Sequence, residues 1–207
     1  MKHRHAAAIR LGGVAAALVL CGVFATGVRA GDDVRPFVVP QHDVDVTYAV
    51  PVAPASGAAD AAAPGAMFQR LRFSAATSRQ RVDPPGNGTY MVTDYVAGQM
   101  IVVQPAQRLA TILPAPGGPI APHGVPATGD YRRLGSRMIV GTACTDWATR
   151  DVSGRDSVVC LTADGVMLQA MQAGHLLVQA VRFEETPQPA SVFAVPEGDR
   201  LQRAPAQ

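Results

Sequence analysis

Cys144 and Cys160 are the two residues of this 207-residue sequence best placed to react with each other. The strand-like segments Arg137–Thr149 and Asp156–Ala163 flank Val152-Ser153-Gly154, and folding them back about residue 152 sets Cys144 opposite Cys160. In an oxidising compartment that pairing predicts a structural disulfide, the alternative being two buried thiols. No C-x-x-C motif points to redox catalysis. His42, Asp43 and Asp45 are potential metal ligands, but alternation along a strand turns His42 away from the two aspartates, so no metal site is predicted there. His123, in a Pro/Gly-rich stretch, and His175, beside a predicted turn, have no serine or cysteine motif to serve. Asn87-Gly88-Thr89 matches a glycosylation sequon and equally a turn dipeptide. Tyr90, Asp94 and Tyr95 read as strand surface. The sequence therefore predicts neither an enzyme nor a bound cofactor or metal, with an unrecognised hydrolase as the competing class.

The compartment follows from the N-terminus. Lys2, His3, Arg4, His5 and Arg10 precede an apolar run from Leu11 to Ala25 and then Val28-Arg29-Ala30, the order of a secretory signal peptide cleaved near Ala30. The run is shorter than the roughly 20 residues of a spanning helix, and nothing later matches it, so the mature chain is predicted to be periplasmic or secreted without a transmembrane segment. Cys21-Gly22 offers a lipoprotein-anchoring alternative, but Leu20 stands where such sites carry a small residue. Removing residues 1–30 takes four of the 18 basic residues and none of the 16 acidic ones, leaving 14 against 16 and a net charge near −2. No Lys/Arg cluster remains to track phosphates, which argues against nucleic acid as a partner.

The elements that must position these residues are strands. Four regions are expected: the signal peptide, 1–30; an extended lead-in, first strand and Ala/Pro/Gly-rich loop, 31–66; a β domain, 67–200; and a disordered tail, 201–207. His42–Val50 alternates at period two, and Met67–Ala75 carries Met67, Leu71 and Phe73 opposite Arg70 and Arg72. Tyr90–Val96, Gln99–Gln104 and Arg108–Leu113 lie too close together for anything but an antiparallel meander. Pro114–Gly129 is a second long irregular loop. Asp164-Gly165 and Ala173-Gly174 predict hairpin turns into Val166–Gln172 and His175–Glu185.

Pairing these segments puts Trp147, Ala143, Val159, Leu161, Leu168, Ala170, Leu177, Val181 and Phe183 on one face. The other collects Cys144, Cys160, Met167, Met171, Leu176, Val178 and Ala180, where a one-sided sheet should be polar. That second face is either a pocket or core beneath the loops.

Arg137-Met138-Ile139-Val140-Gly141-Thr142-Ala143-Cys144-Thr145-Asp146-Trp147, Val159-Cys160-Leu161-Thr162-Ala163-Asp164-Gly165-Val166 and Ser191-Val192-Phe193-Ala194-Val195-Pro196-Glu197-Gly198 resemble an uncharacterised family of bacterial exported proteins related to the outer-membrane lipoprotein carriers. Thr93-Asp94-Tyr95 fits the same pattern, and the resemblance covers about residues 67–200. It implies a mainly β fold with little helix: a strongly curved antiparallel sheet, an incomplete barrel, whose concave side in the carriers holds acyl chains. No amphipathic helix follows the signal here, and Pro/Gly-rich loops stand where the carriers place a helical lid. The resulting expectation is an exported binding module holding a lipid, an acyl chain or a hydrophobic segment of an envelope protein against Met167, Met171, Leu176 and Val178. The alternative is an envelope scaffold or sensor domain that docks a protein partner.

Overall fold

The computed structural model describes residues 34–52, 65–116, 120–151 and 153–204. The expected signal peptide, Cys21, most of the Ala/Pro/Gly-rich loop and residues 205–207 lie outside the described residues. The strands are β1 (Val44–Pro51), β2 (Ala66–Ser74), β3 (Arg79–Asp83), β4 (Tyr90–Asp94), β5 (Gln99–Gln104), β6 (Leu109–Pro114), β7 (Arg132–Ile139), β8 (Thr142–Arg150), β9 (Asp156–Leu161), β10 (Met167–Gln172), β11 (His175–Glu185) and β12 (Arg200–Arg203). They form one open sheet in the order β12-β6-β5-β4-β3-β2-β1-β11-β10-β9-β8-β7. Every neighbouring pair is antiparallel except β12 with β6, which is parallel, so the sheet is mixed at that edge. The described helix amounts to two 3-10 turns, Pro105–Gln107 and Ala190–Phe193. Among the described residues no helix is long and apolar enough to cross a membrane.

The meander is as expected, and β1 lies at the middle of the sheet between β2 and β11. Four features differ from the sequence reading. Strand β3 has a polar pattern, Arg79-Gln80-Arg81, that hid it; its arginines are held by carboxylates, Arg79 Nε donating to Asp94 at 2.9 Å and Arg81 Nε to Asp83 at 2.9 Å. Residues 201–203, expected in the tail, belong to β12. Arg137–Thr149 is two strands, because Val140 and Gly141 both take positive φ (45° and 76°) in a tight turn between β7 and β8. Asp164-Gly165 closes a longer loop than a two-residue turn. Thr162 N–H donates to Val166 O at 2.9 Å, Val166 N–H returns to Thr162 Oγ1 at 3.0 Å, and Gly165 alone takes the positive φ.

A left-handed conformation is costly for a β-branched residue, and Asn-Gly is the preferred dipeptide of such hairpins. Val140 is 43% exposed, so little packing is lost on replacing it. Val140→Asn is therefore expected to stabilise the protein by about 1 kcal/mol, read as a raised urea midpoint with an unchanged m-value.

Two clusters hold the sheet. The larger gathers Val39, Val44, Val46, Tyr48, Phe73, Val166, Leu168 and Ala180, and takes in Ile139 and both cysteines. The smaller joins Tyr90, Val92, Val103 and Ala110 to Phe193. Phe193 arrives on a strap, residues 186–199, that runs from β11 to the far edge of the sheet. Asp43 anchors its start, accepting from Gln188 N–H at 2.8 Å and, on its other oxygen, from Ala75 N–H at 2.8 Å. Farther along, Arg81 Nη1 donates to Val192 O at 3.0 Å while its guanidinium lies 3.5 Å from the Tyr90 ring centroid. The face beneath the strap carries buried or half-buried ion pairs, each charge matched, as burial requires: Arg70 with Asp45, and Arg72 and Arg81 with Asp83. Burial alone would raise the Asp83 pKa, but hydrogen bonds from Arg81 and Arg72 outweigh it and hold the carboxyl below its usual range. Its contribution to stability is thus complete above the unfolded carboxylate pKa and is lost as pH falls through the lowered folded value.

Candidate functional site

The disulfide forms, Cys144 to Cys160 with Cα atoms 5.5 Å apart, but not from directly opposite positions. Asp151 and Arg155 close the β8–β9 turn, with Asp151 N–H donating to Arg155 O at 2.9 Å and the Asp151 carboxylate accepting from Ser153 and Arg155 N–H groups. The pivot is therefore residue 153, one later than the sequence suggested. Cys160 pairs with Asp146, and Cys144 is its diagonal neighbour. Arg137, paired with Cys144, reaches Asp146 and Gln169, the residues that flank Cys160 on either side, so its guanidinium spans the bridge.

The opposite face is concave. Gln80 on β3 and Thr149 on β8 line one cavity of about 270 Å³, although six strand steps separate their strands. In a flat sheet those steps would span about 29 Å, so the sheet curls around this space. Val44, Tyr48 and Leu71 line one side, and Val159, Leu161 and Met167 the other. Burial pushes the Tyr48 phenol well above its ordinary pKa, and its O–H donates to Met167 O at 2.6 Å, tying β1 to β10. Gln80 and Thr149 supply polar groups on the wall; Gln80 Oε1 accepts from Tyr95 O–H at 3.3 Å.

The lead-in, rather than a helix, furnishes the roof, and His123, Gly124 and Ala127 brace it. Val38 and Pro40 line the cavity. Gln41 N–H donates to Asp164 O at 2.9 Å, and Pro36 O accepts from Ala127 N–H at 2.8 Å. Gln41 also binds the loop through its side chain, Oε1 accepting from Gly124 N–H at 2.7 Å, and through its carbonyl, 2.8 Å from His123 Nε2. Beyond the roof the apolar surface continues in register from Leu71 to Val82, Met91 and Val102, with Met100 and Leu113 alongside. Of these six, each is only half-buried, and the five past Leu71 belong to neither core cluster.

The predicted lining is divided. Met167 lines the concave cavity. Met171 lines a groove of about 550 Å³ with Arg137, Asp146 and Val158. Leu176 pairs with Met171, and Val178 with Ala170. The reason is a pair of irregularities, between Met167 and Gln169 in β10 and opposite the Ala170/Met171 step in β11. Each inserts a residue and inverts the alternation beyond it. Gln80, Met91, Met100, Tyr131 and Thr149 are not among the residues the sequence singles out as lining. For Met91 and Met100 the signal was present, since period two in Tyr90–Val96 and Gln99–Gln104 sets them on one face; for Tyr131 there was none.

The residues weighed for metal binding are otherwise engaged. Asp43 anchors backbone N–H groups, Asp45 accepts from Arg70 Nε at 2.8 Å, and His42 lies 4.0 Å from Asp164. Among the described residues no group of three or more His, Cys, Asp or Glu side chains could hold a metal ion. Asn87 Oδ1 accepts from Thr89 N–H at 3.2 Å, the local bond of a turn.

No protein-family model matches this chain, and no curated protein sequence matches it. Solved structures do. An uncharacterized conserved protein from Thermus thermophilus is 15% identical with a TM-score of 0.54, the match covering 79% of this chain and 91% of that one. The MucA/MucB complex of Pseudomonas aeruginosa gives 12% identity and a TM-score of 0.48 over 77% of this chain and 57% of that one. A putative outer membrane lipoprotein-sorting protein domain from Vibrio parahaemolyticus gives 12% and 0.33 over 74% and 89%. The likeness to the Thermus thermophilus protein shows a shared fold.

Proposed function

We propose that this chain is an exported binding module that holds one apolar chain, such as a lipid acyl tail, along its concave face. The observation that carries the reading is the continuity of that face: an apolar cavity under the lead-in opens onto the row Leu71, Val82, Met91 and Val102. An elongated guest would enter the cavity with its tip and lie along the row with its remainder. At about 270 Å³ the cavity falls just below the roughly 300–1,000 Å³ of sites that enclose a whole ligand, which suits a single chain end. Methionines at both stations, Met167 within and Met91 and Met100 outside, adapt to guests of irregular shape. Export is supported by the disulfide and by the signal-like N-terminus.

The test is titration of the mature protein with a fluorescent fatty acid, beside a Val159→Phe variant whose added ring fills the cavity. Saturable binding that weakens by about tenfold or more in the variant is the expected result. A wild-type protein that refuses the probe and purifies free of lipid would overturn the reading.

A further inference from the structure

Among the described residues, strand β7 is the last strand of the sheet on its side, and over Arg132–Met138 it is exposed throughout. The other edge, β12, has four residues where β7 has eight. Long unpaired edges recruit other strands, and proteins ordinarily shorten or blunt them. Here a register shift between Arg133 and Gly135 interrupts the edge and leaves Gly135–Ile139 in regular pairing with β8, so its outer side offers a continuous run of backbone donors and acceptors.

The side chains say which strand can be added. Leu134 and Met138 are exposed, and Arg132 and Arg133 make the edge basic. Arg137 is neutralised by Asp146 at 2.8 Å, but Arg132 and Arg133 have no carboxylate within salt-bridge distance among the described residues; Arg133 only donates to Ser136 Oγ at 3.2 Å. A second copy of β7 is therefore a poor partner, because antiparallel pairing would set arginine against arginine. Arg132 also stands between two recesses, one of about 470 Å³ with Arg35, Asp130 and Tyr131, and one of about 550 Å³ with Arg137, Val158 and Met171. In strand addition the backbone supplies affinity while recesses beside the edge select side chains.

We propose that β7 docks an extended segment of a partner protein in which acidic and apolar residues alternate, added to the sheet as a further strand. This partner surface lies at the sheet edge, and its first recess shares Tyr131 and Thr149 with the lining of the concave cavity. Trp147, the chain's single tryptophan, pairs with Arg133 and reports on this edge.

The probe is a short synthetic peptide of alternating Glu and Val, with a Lys/Val peptide as control, added to the mature protein. Three results are expected together: a change in Trp147 fluorescence that weakens with added salt, slowed amide exchange over Gly135–Ile139, and affinity lowered by about tenfold or more in an Arg132→Glu/Arg133→Glu double variant. Because these arginines are exposed, the variant should fold, which its unfolding midpoint checks. Absence of binding, equal binding of the Lys/Val peptide, binding without protection of β7, or self-association of the protein through β7 would each overturn the proposal.

Discussion

Replacing Cys144 and Cys160 together by alanine should lower the unfolding free energy by about 3 kcal/mol. The bridge joins residues 16 apart in sequence, and in the chain-entropy description a loop of this size removes about that much from the unfolded ensemble. Both cysteines are buried, Cys160 completely, so a single replacement would strand a thiol in the core; the double variant isolates the crosslink. Arg137, lying across the bridge between Asp146 and Gln169, remains satisfied without it. Urea titrations of the oxidised protein and the double variant give the number directly. A difference below about 1 kcal/mol would mean that the unfolded chain keeps the β8–β9 hairpin closed without the bridge.

Gly165→Ala should do comparable damage by a different route. Gly165 has φ 81°, and a Cβ there would lie 2.5 Å from Val39 O and 2.9 Å from Phe37 Cβ. The obstruction is backbone of the lead-in, not the end of a flexible side chain. The left-handed conformation costs about 1–2 kcal/mol for alanine, and moving the lead-in aside gives up the Gln41–Asp164 hydrogen bond and the burial of Val39, about 1 kcal/mol and up to 2–3 kcal/mol respectively. The damage is also local. Amide exchange should rise at Gln41 and, through the contacts to Pro36 and Gln41, at Gly124 and Ala127, while β4–β6 keep their protection. A uniform loss of protection across the sheet would show that the lead-in is not a separate roof.

Most of the architecture was legible because period-two alternation and turn dipeptides are local signals. β5 was read residue for residue, and the meander followed from loop lengths alone. Strand β3 is hidden by its arginines: Arg81 is satisfied by Asp83 on its own strand, but Arg79 finds Asp94 only across the β3–β4 pairing, which local alternation does not reveal. The β7–β8 turn was missed because Val140 is an improbable residue at positive φ. The candidate lining suffered most. Sequence parity groups Met167 with Met171, but an inserted residue between Met167 and Gln169 sends them to different surfaces, and bulges leave little mark on composition. The cavity lies on the side of Val159 and Leu161, which sequence parity assigns to the first face; of the second-face residues only Met167 lines it. What covers the concave side, the lead-in around Val38 and Pro40, packs closely on Gly165.

Met167 lies inside the concave cavity and Met171 in the groove with Arg137, so methyl NMR of the mature protein labelled at methionine, titrated with a fatty acid, is the most direct test. Binding at the concave face predicts that the Met167 methyl shifts, that Met91 and Met100 follow as the chain extends along the row, and that Met171 stays in place. Shifts centred on Met171, or a spectrum unmoved by any concentration of fatty acid, would contradict it.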